Sequence, residues 1–98
     1  GISALLCAGQ ASVRASLTRL DELGVRVPAD LSVVALSFDE GRQWPWPALR
    51  PTHVRHPEPL VGERAVQALI ARLDGTVEGP QHWRIPCEFV IGNSTAPR

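Results

Sequence analysis

Residues 24–34 have the sequence GVRVPADLSVV, and they join the end of a helix to the start of a strand. Gly24 suits the left-handed conformation that commonly ends a helix. Pro28 lacks the amide hydrogen that a sheet requires, so regular structure is expected to resume only after it. The apolar and partly β-branched residues 31–36 then predict a buried strand.

The residues before this stretch predict another strand and a helix. Residues 2–8 form an apolar run without alternation, which is typical of a strand covered on both faces. Within residues 12–23, apolar side chains recur at helical spacing, as Val13, Leu17 and Leu20. The order β-α-β implies two parallel strands joined by a helical crossover, and therefore an α/β fold.

The residues after it predict a loop, a short extended segment, a helix and a last strand. Residues 37–51 are polar and then rich in Trp and Pro, which favours an irregular loop at the carboxyl end of the second strand. Ligands bind at that end of open α/β sheets. Residues 52–56 are extended, residues 58–73 have a helical apolar face that Gly75 terminates, and residues 83–91 alternate as in a strand.

The composition indicates a globular domain or a piece of a larger one. The chain has 98 residues, 44% of them hydrophobic and 20% charged, and no run long enough to cross a membrane. A net charge of +0 argues against nucleic-acid binding by this segment. Because Met is absent, we expect a fragment or a processed product. Cys7 and Cys87 are both predicted to be buried thiols in a reducing cytosol, although a disulfide between them stays open.

No motif for catalysis, cofactor binding or metal binding was found, which favours a protein that is not an enzyme. The chain lacks a phosphate-binding glycine loop, a nucleophile elbow and the zinc motif HExxH. His53 and His56 are three apart on an extended segment, which is poor geometry for sharing a metal ion. They are therefore expected to be ordinary surface or crevice histidines.

Three features of the chain allow more than one interpretation. The carboxylates of Asp39 and Glu40 suit hydrogen bonding to ligand hydroxyls, or they belong to a solvated loop. Trp44 and Trp46 suit stacking on a sugar or base and contact with a subunit or lobe, or one of them fills a hydrophobic gap. The helix at residues 12–23 covers its own sheet or is shared between two subunits.

Four segments resemble one family, the LacI/GalR transcription regulators. Residues 24–34 are very similar to the family's GLRVPEDVSVV. Residues 51–57, PTHVRHP, resemble LTTVRQP; residues 62–66, GERAV, resemble GxxAV; residues 89–95, FVIGNST, resemble LVVRxST. The resemblance covers essentially the whole chain, and residues 37–50 are its weakest part.

The resemblance implies a partial periplasmic-binding-protein-like fold, with an effector bound between two lobes. Residues 1–50 would belong to the C-terminal lobe, residues 51–57 would cross the hinge, and residues 58–98 would supply a helix of the N-terminal lobe and the terminal strand. DNA would be read by an N-terminal helix-turn-helix that this chain lacks. The resemblance further implies a cytoplasmic homodimer, joined partly through residues 12–23, and a small polar, sugar-like effector. The isolated chain would then be a proteolytic fragment or an intertwined dimer.

Several residues depart from the family at positions that contact ligands in its sugar-binding members. The family's Asn-Asp pair is Gly9-Gln10 here, its Gly-Phe-Asp-Asp segment is matched by residues 35–38, its hinge Gln is His56, and its Arg before Ser-Thr is Gly92. Each lost polar group removes a hydrogen bond worth ~0.5–1.5 kcal/mol, so either the effector is unusual or the site has decayed. The candidate ligand-binding residues are Gly9, Gln10, Ser37, Asp39, His56 and Trp44.

Two other classes of protein share parts of this pattern. A solute-binding protein of a transport system has the same lobes, but it would need an export signal upstream in place of a helix-turn-helix. A flavodoxin-like enzyme domain has a similar element order, but the chain offers no nucleophile–base pair or phosphate loop. The regulator is the preferred interpretation.

Overall fold

The order of elements is the predicted α/β order. The computed structural model describes residues 1–39 and 41–97. The elements are β1 (Ala4–Cys7), α1 (Gln10–Glu22), β2 (Ser32–Ala35), β3 (Thr52–Arg55), α2 (Glu58–Leu73) and β4 (Glu88–Val90). Glu40, one of the two carboxylates of the predicted ligand loop, lies outside the described residues.

The four strands form one sheet in the order β1-β2-β3-β4. β1 and β2 are parallel, as the β-α-β order predicted, and β3 continues parallel to β2. β4 runs antiparallel to β3, with His53 opposite Val90. Because Thr52 is level with Val34, β3 starts where β2 is ending. The loop that follows β2 therefore stays close to the first residues of β3.

The core lies between α1 and the strands β1 and β2. Val13 and Leu17 are the buried residues of α1, and they face Cys7, Val33 and Ala35 of the two strands. Full burial of a Val or Leu side chain stabilises the fold by about 1.5–3 kcal/mol. The apolar spacing in the helix thus identified the side that packs on the sheet.

The connector between α1 and β2 is closed by one residue pair. The Arg26 backbone amide donates to Asp30 Oδ2 over 2.8 Å, and two guanidinium nitrogens reach the same carboxylate at 3.1 Å. The side-chain hydrogen bond and the charge of Asp30 raise the pKa of Arg26 above its usual value. This closed loop gives a physical reason for the spacing RVPAD between the helix stop and the strand.

A serine near the end of the chain bridges β2 and β3. Ser94 is fully buried, and its hydroxyl accepts from the Thr52 amide at 2.8 Å and donates to the Val33 carbonyl. The Val33 amide in turn donates to the Ser94 carbonyl. The Ser-Thr segment that resembled the family ending therefore has a structural role, since it satisfies backbone groups of both strands.

The chain divides into two compact units. The first comprises residues 1–55 and 88–98, and the second comprises residues 56–87. The second unit consists of α2, a turn at Gly75 and a segment without regular structure, and α2 has no buried residue. The assignment of these parts to two lobes and a hinge stays a prediction.

Three expectations about burial and strand length were wrong. Leu6 of β1 is 61% exposed, because only one face of this strand is covered in the described part of the first unit. The last strand is limited to Glu88–Val90, and Phe89 is 60% exposed, so alternation over residues 83–91 overstated its length. Cys87 is exposed and Cys7 is buried, and both are free thiols.

Candidate functional site

The ends of the two parallel strands β1 and β2 bring together four of the predicted ligand residues. Gly9 precedes α1 and Gln10 opens it, whereas Ser37 and Asp39 follow β2. The Gln10 side-chain oxygen accepts a hydrogen bond from the Asp39 amide over 2.8 Å. The two strand ends are therefore joined directly, at the edge where ligands bind in open α/β sheets.

The Asp39 carboxylate is engaged within its own loop. Its Oδ1 accepts from the Gly41 amide at 2.9 Å, and its Oδ2 lies 3.5 Å from Arg42 Nε. Because the Asp39 side chain is also 61% exposed, these contacts favour the interpretation that it belongs to a solvated loop. A ligand hydroxyl at this carboxylate would have to share it with Arg42.

An aromatic cluster fills the loop after β2. Phe38 meets Trp44 edge to face, with ring centroids 4.9 Å apart, and Trp44 meets Trp46 at 5.1 Å. Phe38 also lies 5.1 Å from the ring of His53. Trp44 Nε1 donates to the Leu49 carbonyl at 2.8 Å, which fixes the indole within the loop. Both tryptophans are half-buried and pack against the core cluster of Cys7, Val13, Leu17, Val33 and Ala35.

A cavity of about 390 Å³ lies beside this cluster, within the first unit. Small-molecule pockets span roughly 300–1,000 Å³, and the volume of this cavity falls within that range. Its wall consists of aromatic rings, one arginine side chain, and residues around the start of β3 and the end of β4. The lining residues are Phe38, Trp44, Pro47, Leu49, Arg50, Pro51, His53, Val90, Ile91 and Gly92.

His53 is the most deeply buried polar side chain in the wall of this cavity, with only 2% of its surface exposed. Its Nδ1 lies 2.8 Å from the Pro51 carbonyl. Because a carbonyl only accepts, Nδ1 is the donor in this contact. Of the two histidines expected to be ordinary surface or crevice residues, His53 lies in a crevice, where strand pairing with both β2 and β4 encloses it, and His56 lies on the surface.

Gly92 allows the end of the chain to approach the loop before β3. A Cβ atom at this position would lie 2.0 Å from the Arg50 carbonyl oxygen, far inside van der Waals contact. Asn93 stabilises this approach with two hydrogen bonds. Its backbone amide donates to the Arg50 carbonyl at 2.8 Å, and its side-chain Oδ1 accepts from the Arg50 backbone amide at 2.6 Å. The glycine that replaces the family's Arg is thus required by close backbone packing, and it lines the cavity.

The structure separates the six predicted ligand residues into three places. Gly9, Gln10, Ser37 and Asp39 lie at the strand ends, Trp44 alone among the six lines the cavity, and His56 belongs to the second unit. Sequence reasoning missed Phe38, Arg50 and His53, which also line the cavity. The useful signal was their position: each lies within three residues of the end of β2 or the start of β3.

Two negative findings concern the described residues. Within residues 1–39 and 41–97, no three His, Cys, Asp or Glu side chains are grouped so that they could hold a metal ion. No helix in that part of the chain has the length and apolar character required to span a membrane.

Comparison with known proteins decides the family. Residues 3–95 match the model of the periplasmic binding protein-like domain. The chain belongs to this family. It is also similar to proteins named HTH-type transcriptional repressor PurR, with 31% identity in Yersinia enterocolitica and Yersinia pestis and 33% in Escherichia fergusonii.

Each of these alignments spans 94 residues, which is 96% of this chain and 27% of the relative. The chain therefore spans about a quarter of the length of these repressors. No solved structure matches it. The predicted resemblance to LacI/GalR regulators and the partial periplasmic-binding-protein-like fold are confirmed.

Proposed function

We propose that this chain is the effector-sensing and dimerisation portion of a cytoplasmic, DNA-binding transcription regulator, and that it binds a small polar, sugar-like ligand without transforming it. The relatives that the chain matches over 96% of its length are named as transcriptional repressors. DNA binding is assigned to a part of the protein outside this chain, because the charges of these 98 residues sum to +0.

The observation that carries the ligand proposal is the cavity beside the aromatic cluster. Aromatic side chains such as Phe38 and Trp44 present apolar faces on which a sugar ring stacks. The exposed Arg50 side chain supplies a polar group that gives a ligand its orientation, and the buried His53 ring forms part of the wall. The mechanism is a population shift, in which the ligand favours one of two arrangements of the regulator.

Isothermal titration calorimetry of the chain with a panel of sugars and nucleosides tests this proposal. We expect one ligand to bind per chain. Arg50→Ala removes a charge-assisted hydrogen bond of about 1.5–3 kcal/mol, so the affinity falls roughly ten- to hundredfold. Arg72→Ala, an exposed arginine in the last turn of α2, is the matched control and leaves the affinity unchanged.

Either of two results contradicts the ligand proposal. One is that no member of the panel binds to the chain. The other is that binding is weakened equally by Arg50→Ala and by Arg72→Ala, because the ligand would then respond to overall charge and not to the cavity.

Dimerisation is proposed through the exposed side of α1. This side carries the small residues Ala11, Ala15 and Thr18 beside Arg14 and Glu22, and it forms a shallow groove. Small side chains let a second helix approach closely. Native mass spectrometry is expected to detect a dimer that Ala15→Glu dissociates and that Ala65→Glu, on the exposed α2, leaves intact. A dimer unaffected by Ala15→Glu would place the interface elsewhere.

A further inference from the structure

Cys87 and His56 form a side-chain pair at the two ends of the second compact unit. The second compact unit is residues 56–87, so His56 is its first residue and Cys87 is its last. The Cys87 sulfur lies 3.4 Å from His56 Nδ1, and both side chains are exposed. Their contact therefore brings the two ends of the second unit together.

The contact pairs a thiol with an imidazole, which is the pairing found in activated cysteines. A thiol that faces an imidazole nitrogen can transfer its proton to that nitrogen, and the thiolate is the nucleophilic form of cysteine. The alternative acceptor is the Ile85 carbonyl, at 3.8 Å from the same sulfur. The shorter distance favours His56, and a carbonyl cannot take the proton away from sulfur.

The other cysteine offers the opposite environment. Cys7 is 5% exposed, and the contact of its sulfur is with the Ser16 hydroxyl at 3.7 Å. A hydroxyl is a poor base, and the burial excludes reagents. One chain therefore contains a shielded thiol and an accessible thiol beside a base, which makes Cys7 an internal control for Cys87.

We propose that Cys87 is a modification site that exchanges with low-molecular-weight disulfides, with His56 as its proton acceptor. His56 Nδ1 takes the thiol proton, and the Cys87 thiolate attacks one sulfur of the small disulfide. A new S–S bond forms as the old one breaks, and its electron pair leaves on the second sulfur. That sulfur takes the proton from the imidazolium and departs as a thiol.

The consequence is a reversible covalent group at the last residue of the second unit. The mixed disulfide replaces the contact between sulfur and imidazole, and it places a new substituent beside His56, the first residue of the same unit. This regulation goes beyond the proposed effector binding and does not depend on it, because it requires neither the cavity nor a ligand.

Reaction with 5,5′-dithiobis(2-nitrobenzoate), itself a small aromatic disulfide, tests the proposal through the absorbance of the released thiolate. We expect one fast phase, assigned to Cys87 by mass spectrometry of the adduct, and a slow phase from Cys7. Since a free thiol is only a few per cent thiolate at neutral pH, His56→Asn is expected to slow the fast phase roughly tenfold. Dithiothreitol restores the unmodified chain.

The controls separate this chemistry from simple exposure. Cys87→Ser removes the fast phase, and Cys7→Ser retains it at the same rate. Far-ultraviolet circular dichroism establishes that His56→Asn is folded. The proposal is overturned if Cys87 reacts at the same rate with and without His56, or no faster in the folded chain than in the chain denatured by guanidinium.

Discussion

The helices α1 and α2 have apolar faces of similar regularity but very different environments. α1 buries Val13 and Leu17, which are 0% and 5% exposed. α2 buries none of its residues, and its Leu69 and Leu73 are 57% and 77% exposed. The first unit supplies two strands to cover α1, whereas residues 56–87 contain no strand or second helix. Helical spacing therefore predicts which side a helix can bury, but burial itself requires a second apolar surface.

The largest expected effect tests this difference with one substitution at two sites. Leu17→Ala leaves a cavity between α1 and the sheet, and it should lower the free energy of unfolding by about 2–5 kcal/mol. Leu69→Ala removes a side chain that is already more than half exposed, and the cost should stay within about 0.5 kcal/mol. Chemical denaturation measures both. Equal losses would show that α2 is packed as tightly as α1.

Adding a methyl group to a glycine should change the free energy of unfolding in opposite directions in the two units. Gly92→Ala forces a Cβ against the Arg50 carbonyl, so we expect a loss of about 1–3 kcal/mol of unfolding free energy. Gly62→Ala meets nothing within 4 Å in the interior of α2, so we expect a gain of about 0.5–1 kcal/mol. Thermal melts of the two variants check the signs, and a neutral Gly92→Ala would contradict the close approach.

The buried hydroxyl of Ser94 gives a further contrast with an exposed one. Ser94→Ala leaves the Thr52 amide and the Val33 carbonyl without this partner in the interior, which should cost about 1–3 kcal/mol. Ser12→Ala on the exposed side of α1 is the control, with an expected change within about 0.5 kcal/mol. Urea titrations compare the pair. Similar stabilities for the two variants would mean that the bridge between β2 and β3 adds nothing.

The smallest effect concerns the turn after α2. The Thr76 hydroxyl, and then the Thr76 amide, donate to Asp74 and lower its pKa below the ordinary value of 3.8. This contact therefore adds stability above that pH, and the contribution is lost as the pH falls through the lowered pKa. Thr76→Val should raise the Asp74 pKa part of the way back, because the amide bond stays. Carboxyl chemical shifts in a pH titration measure it, and an unchanged pKa would exclude the hydroxyl as the main cause.

Local sequence signals predicted the elements well, and they failed where distant segments meet. The helix at residues 58–73 and the glycine stops at Gly24 and Gly75 depend on neighbours in sequence, and the structure has them as predicted. The burial of His53 and the need for glycine at position 92 depend on segments about 40 residues apart. The periodicity of apolar residues within one segment does not indicate such contacts between distant segments. For the same reason Trp44 is the one candidate ligand residue that lines the cavity.

Amide hydrogen exchange of the chain, with and without the ligand selected by calorimetry, tests the effector-sensing proposal most directly. We predict slower exchange with ligand at residues 44–53 and 90–93, which surround the cavity, and unchanged exchange along α2. Protection confined to residues 58–73, or none at the cavity despite binding, would contradict the assignment of the effector site to the first unit.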